Sequence, residues 1–163
     1  MFFSKSKKAQ GATEYLVLLA VVLIVAMVAI ALLGYFPGLA GDAKTSESDA
    51  YWRGAARPFE VLEHSQISTN STFILVVVNV DASQWNMNNL TIAGSGQNAT
   101  WTPATLSQGY FSAGEKKVLY VNFSSNCTSG STYEYYANFT YSNSDNTVTD
   151  RQVGSKTLVG RCS

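Results

Sequence analysis

The side chains that most often carry catalysis or bind metals are rare in this chain. It has 163 residues, with one histidine, His64, and two cysteines, Cys127 and Cys162. A metal site built from several histidines is therefore excluded. The triplet Glu63-His64-Ser65 contains an acid, a base and a nucleophile, but neighbours in a strand point to opposite faces and cannot form a triad. We expect no catalytic residue, no metal and no cofactor.

A second set of residues with a defined spacing lies at the amino terminus. Three lysines, Lys5, Lys7 and Lys8, come before Gln10, and Glu14 follows Gln10 by four residues. A carboxylate at membrane depth without a partner costs roughly 2.5–3.5 kcal/mol, so Glu14 requires a cation. The alternative role for Glu14 is that of a first-turn acid that complements the helix dipole, worth up to ~1 kcal/mol.

The apolar run after Glu14 is long enough to cross a membrane. It comprises 19 uncharged residues from Tyr15 to Leu33. As a helix it would be about 28 Å long, against about 30 Å for a hydrocarbon core. Its apolar side chains point all round the helix, so every side must contact lipid or other helices. The lysines before it should stay cytoplasmic, which places the rest of the chain outside the cell.

Two general explanations of this run compete. The first is the signal anchor of a single-pass membrane protein, which the length and the flanking charges support. The second is a cleaved secretory signal, with Gly38 and Ala40 as the processing site and a soluble domain released from Gly41. Length argues against the second, because ordinary secretory signals contain only about 7–15 apolar residues.

A third explanation rests on the segment Ala9-Gln10-Gly11-Ala12-Thr13-Glu14. Together with the basic leader and the apolar helix, it resembles the class III signal peptide of archaeal type IV pilin-like proteins. In that family a membrane aspartic peptidase removes the leader in front of a glutamine, and a glutamate stands four residues later. The resemblance covers about residues 5–34 and places the cut between Ala9 and Gln10. Bacterial pilin leaders end in Gly followed by Phe, which this chain lacks.

The resemblance implies an assembly mechanism. Removal of residues 1–9 would delete the three lysines and create an α-amine on Gln10, one helical turn from Glu14. The Glu14 carboxylate would pair with the Gln10 amine of a neighbouring subunit and set the register between subunits. The partners implied are copies of this chain in a helical filament, the membrane before assembly, the prepilin peptidase and the pilus assembly machinery.

Glycine and proline follow the apolar helix. We expect the filament-core helix over residues 10–36 and an interruption at residues 34–38, which contain Gly34, Pro37 and Gly38. Asp42 would then cap a second helical piece that runs to about Ala56 within a stalk of residues 37–58. Four charged residues of the stalk and its end are expected to face solvent or another subunit: Asp49, Arg53, Arg57 and Glu60.

The remaining residues, 59–163, are expected to form a β-sandwich head. Short β-branched or aromatic runs alternate with clusters of Gly, Ser, Asn and Thr. We predict strands near residues 59–67, 72–80, 88–93, 98–102, 116–124, 132–142 and 146–159. The continuously apolar stretch Phe73–Val78 predicts a central strand covered on both faces. Two other predicted strands alternate, and each should have one side formed by every second residue: Leu119, Val121 and Phe123 in one, and Tyr133, Tyr135, Ala137, Phe139 and Tyr141 in the other. The fold class is therefore α+β, a long hydrophobic helix followed by an antiparallel, immunoglobulin-like sandwich.

The head also contains sites for covalent modification. Six Asn-x-Ser/Thr sequons begin at Asn70, Asn89, Asn98, Asn122, Asn126 and Asn138. The alternation of the strands places four of these asparagines on the outer faces, where glycans can attach: Asn89, Asn98, Asn122 and Asn138. The two cysteines of an exported domain favour a Cys127–Cys162 disulfide, which would fix the carboxyl terminus to the head.

These observations favour a structural protein. The 11 basic and 11 acidic residues cancel, which argues against nucleic-acid binding. We expect a pilin, inserted in the membrane as a precursor, that polymerises through its helix into a cell-surface filament serving adhesion. The alternatives are a membrane-anchored or secreted, glycosylated β-sandwich binding protein and the subunit of an archaellum-like filament.

Overall fold

The computed structural model describes residues 7–163, with the side chains of residue 11 and of residues 13–33 and 41–163. The chain divides into two compact units between Asp42 and Ala43. The long helix α1, Lys7–Gly54, contributes residues to both units. The second unit, Ala43–Ser163, contains the end of α1 and the whole β-sheet region. The α+β class and the β-sandwich head are confirmed.

The predicted interruption at residues 34–38 is wrong, because the backbone is helical throughout Lys7–Gly54. Asp42 therefore lies inside a helix and does not cap one. Proline and glycine lower helix propensity without forbidding a helix, and propagation from the long flanking segments is cooperative. The end of α1 agrees better with the prediction, since the helix stops at Gly54, shortly before Pro58.

The head consists of two antiparallel sheets. One sheet has the order β1-β2-β6, and the other has the order β4-β3-β7-β8, with β5 paired to β3 and β9 paired to β7. These orders match strands A-B-E and C′-C-F-G of an immunoglobulin-like sandwich. The bounds are β1 Phe59–Gln66, β2 Thr72–Asn79, β3 Trp85–Gly94, β4 Gln97–Trp101, α2 Leu106–Gly109, β5 Tyr110–Phe111, β6 Lys116–Asn122, β7 Thr132–Asn143, β8 Thr149–Val153 and β9 Leu158–Arg161.

The observed strands differ from the predicted ones in two respects. The single strand predicted over residues 146–159 is two strands, β8 and β9, which pair with different parts of β7. Gly154 lies between them, and its backbone N–H donates to the Ala137 carbonyl. The short strand β5 was not predicted, because two residues are too few to show a period.

The core lies between the inner faces of the two sheets. Phe59 and Phe139 pack at 5.5 Å between ring centroids, and Phe73 and Tyr135 at 5.2 Å. The predicted alternation in β6 and β7 is confirmed, because the inward-facing residues of both strands are buried.

The apolar strand β2 is central in its sheet, as predicted, but only one of its faces is fully covered. Phe73, Leu75 and Val77 are fully buried, whereas Ile74 and Val76 on the other face are half-buried. Val118 and Tyr120, which pair with Val76 and Ile74 on that face, are exposed, so the face is left uncovered in the described part of the chain. An apolar run alone does not reveal whether a second layer exists.

Candidate functional site

The first candidate site is the apolar part of α1. The stretch Thr13–Leu33, 21 residues, is long and apolar enough to cross a membrane. Its large side chains are exposed on every side, from 42% for Leu19 to 70% for Met27 and Ile30. Apolar surface of this extent is removed from water only by lipid or by other apolar chains. This stretch is therefore a contact surface for something outside the described chain.

The residues predicted for cleavage and assembly lie at the start of the same helix. Ala9, Gln10 and Glu14 all have helical backbone in α1, so Gln10 and Glu14 are one turn apart. The Glu14 side chain is exposed and forms no salt bridge with any described residue. The side chains of Ala9 and Gln10, and residues 1–6 of the predicted leader, lie outside the described residues. Cleavage and pairing at these positions stay predictions.

The aromatic side chain of Trp52, at the end of α1, is buried in the head. It is 1% exposed, its ring packs 6.1 Å from that of Phe139, and its Nε1 donates to the Lys156 carbonyl at 3.1 Å. Gly154 leaves the space for it, because a Cβ at residue 154 would lie 2.6 Å from Trp52 Cη2 and 2.9 Å from the Ala137 carbonyl oxygen. Residues 43–54, predicted as part of a stalk, thus belong to the compact head unit.

Polar contacts reinforce this attachment. The Val159 N–H donates to Ser48 Oγ at 3.1 Å in a buried position. Two exposed salt bridges, Lys44–Glu134 and Lys156–Glu47, add little, since solvent screens such pairs. The sequence analysis missed this contact. Ser48, Trp52 and Ala56 follow one another at a spacing of four in a polar segment, which indicates one buried helix face.

The histidine lies in a polar pocket of about 340 Å³ in the head. Its Nδ1 and the Tyr133 hydroxyl are 2.9 Å apart, and its ring contacts those of Phe73 and Tyr133. Glu63, next to it in sequence, is exposed. Glu63-His64-Ser65 thus shows no triad arrangement, in line with the alternation of a strand. Other charged residues lining the pocket are Asp49, Arg53 and Arg161.

Burial should make the stability of the head depend on pH. Desolvation lowers the pKa of His64, with a smaller opposing effect from Asp49 and a further lowering by Arg53. The folded state thus prefers the neutral imidazole. The contribution of neutral His64 to the stability of the head is therefore fully present above the ordinary pKa of 6.5, and it is lost as the pH falls below that value.

We expect the thermal midpoint of unfolding of the wild-type chain to decrease as the pH is lowered below 6.5, the ordinary pKa of histidine. The measurement stays at pH values where the carboxylates remain ionised. The His64→Gln variant, which can still hydrogen-bond to Tyr133, should show a flatter profile. Parallel profiles of the two proteins would contradict this assignment of the pH dependence to His64.

The six sequons differ in exposure. Asn70, Asn98, Asn122 and Asn126 are exposed, whereas Asn89 and Asn138 are half-buried. The Asn138 Oδ1 is fully buried and has no hydrogen-bond partner among the residues that the structure describes. Asn98 and Asn122 agree with the expectation of an outward, accessible side chain. Asn138 lies on the outer face of the central strand β7, because it alternates with the buried Ala137 and Phe139, but its enclosed Oδ1 does not agree with an accessible site. Occupancy by glycans stays a prediction at all six.

The predicted disulfide is present between Cys127 and Cys162, at a sequence separation of 35. It lies beside backbone hydrogen bonds from Gly130 N–H to the Cys162 carbonyl and from Cys162 N–H to the Ser131 carbonyl. A loop of this size is expected to contribute roughly 3–4 kcal/mol to stability. A disulfide is typical of a domain outside the cytoplasm.

The described residues contain no group of three His, Cys, Asp or Glu side chains that could hold a metal ion. No protein-family model matches the chain, and no curated protein shows significant similarity to it.

Proposed function

We propose that this chain is the structural subunit of an extracellular type IV pilus-like filament, processed before Gln10 and polymerising through its amino-terminal helix. The observation that carries the proposal is the exposure of the apolar stretch Thr13–Leu33 on all sides. It is followed in the same chain by a disulfide-closed β-sandwich.

The physical basis is the exchange of lipid for other copies of the helix. In the bilayer no hydrophobic driving force brings copies of this helix together, because lipid tails are as apolar as its side chains. Outside the bilayer the alternative is water, and burial of a side chain such as Leu18 or Ile24 is then worth about 1.5–3 kcal/mol. A core made of many such helices would hold together without any enzyme.

In this proposal, Glu14 sets the register between neighbouring subunits. Its carboxylate would pair with the new α-amine of Gln10 in a neighbouring subunit, so that both charges leave the membrane neutralised. The heads would form the outer layer of the filament, where glycans on exposed sequons meet the surroundings. Surface adhesion is the role we propose for the filament, by its resemblance to the archaeal pilin-like family.

The amino terminus of the exported form tests the proposal. We expect sequencing to give Gln10 as the first residue and electron microscopy to show fibres containing the chain. Met1 as the first residue would instead support a membrane-anchored binding protein, and a terminus near Gly41 would support a secreted one. The filament proposal would be contradicted if processed chains remained monomeric in cells.

A further inference from the structure

The outer face of the three-stranded sheet carries an uncovered apolar patch. Tyr120 is 58% exposed and Val118 is 49% exposed, and Ile74 and Val76 are half-buried. Tyr120 pairs with Ile74 across the strands, and Val118 pairs with Val76, so the four side chains are adjacent. Contiguous exposed apolar side chains of this kind mark a contact surface.

One modifiable residue lies on the same face of β6. Asn122 is exposed, begins the sequon Asn122-Phe123-Ser124 and follows Tyr120 by two residues. Residues i and i+2 of a strand point to the same side, roughly 6.8 Å apart. A group attached to Asn122 can therefore reach the Tyr120 ring.

The amide of Asn122 is already oriented. Thr72 Oγ1 donates to Asn122 Oδ1 at 2.9 Å, across the β2–β6 pair. This contact fixes the carbonyl oxygen toward β2. Within the described part of the chain no hydrogen bond involves Nδ2, the atom that accepts a sugar, and Nδ2 is available on the exposed edge strand.

We propose that Asn122 carries an N-linked glycan whose first sugar stacks on Tyr120 and covers the apolar patch. Nδ2 forms a bond to the anomeric carbon of the sugar, the bond from that carbon to a phosphate oxygen of a lipid-linked donor breaks, and the amide gives up one proton. The C–H face of a pyranose is apolar and fits an aromatic ring, which explains why a soluble head keeps Tyr120 exposed.

The other sequons lack this combination. Asn138 also follows an exposed aromatic residue, Tyr136, by two positions, but Asn138 is half-buried and its Oδ1 is fully enclosed. Asn98 is exposed, like Asn122, but has Gly96 two residues before it. Asn98 is therefore the matched control, an exposed sequon with no aromatic residue two positions before it on its own strand.

The test uses the full chain purified from the cells that produce it. We expect glycopeptide mass spectrometry to find sugar on the peptide containing Asn122. Asn122→Gln should lower the thermal midpoint by several degrees in the wild type and in Tyr120→Phe, which keeps a ring. In the Tyr120→Thr background the same change should have little effect. Asn98→Gln should have the same effect in all three backgrounds.

Two results would overturn the proposal. One is an unmodified Asn122 peptide. The other is an equal loss of stability from Asn122→Gln with and without the ring at position 120. Neither readout requires filament assembly, because both are measured on the purified chain. A failure of the glycan proposal is therefore distinguishable from a failure of the filament proposal.

Discussion

Replacing Glu14 with glutamine will sharply reduce the yield of filaments while export and folding of the head remain normal. The substitution keeps the shape and the helix propensity of the side chain and removes only its charge. In the proposed assembly, the Gln10 α-amine of the neighbouring subunit then lies among apolar helices without its counter-charge. Removing one partner of a buried ion pair typically costs about 3–5 kcal/mol, which corresponds to a hundredfold or greater weakening of subunit association, at ~1.4 kcal/mol per factor of ten.

The matched control is Glu63→Gln, which makes the same charge change at an exposed position of the head. We expect normal fibre numbers from this control. The measurement is a count of fibres by electron microscopy, with the cell-associated protein quantified in parallel. Normal fibre numbers from Glu14→Gln would remove the electrostatic part of the proposal. An equal loss from both variants would indicate that total charge matters and position does not.

Replacing Gly154 with alanine will destabilise the head. The new Cβ would lie 2.6 Å from Trp52 Cη2 and 2.9 Å from the Ala137 carbonyl oxygen, so the tryptophan or the backbone must move. Trp52 is 1% exposed, so a shift of its ring would disturb buried contacts. Overpacking of this kind typically costs about 1–3 kcal/mol.

The control for this variant is Gly54→Ala at the end of α1, where an added Cβ meets nothing within 4 Å. Alanine in a helix is more favourable than glycine by up to ~1 kcal/mol, so stability should be unchanged or slightly higher. Urea unfolding of the purified chain, followed by near-UV circular dichroism, measures both. A Gly154→Ala variant as stable as the wild type would show that Trp52 does not depend on this space.

Much of the architecture followed from local pattern. The apolar stretch that ends at Leu33 has no polar face, so its helix and its need for outside partners could be predicted from the residues alone. In the same way, the alternation around Leu119 and Tyr135 predicted which residues face the core. The cysteine count predicted the disulfide, because only one pairing was possible.

The sequence pattern gave wrong predictions where burial or helix continuity depends on other segments of the chain. The apolar residues of β2 predicted cover on both faces, yet Ile74 and Val76 face a side that no described element covers. The burial of Asn138 depends on its place in the central strand β7, between β3 and β8. Pro37 and its neighbouring glycines predicted a break where the helix continues.

The sequence by itself determined the membrane-length helix, the class of the head and the inward residues of its main strands. These properties follow from the repeat of the backbone, which places every second or every third to fourth side chain on one face. Only the tertiary structure decided that Trp52 enters the head beside Gly154 and that Ile74 pairs with Tyr120 on a face left uncovered. Such contacts join residues far apart in the chain, and no local period records them.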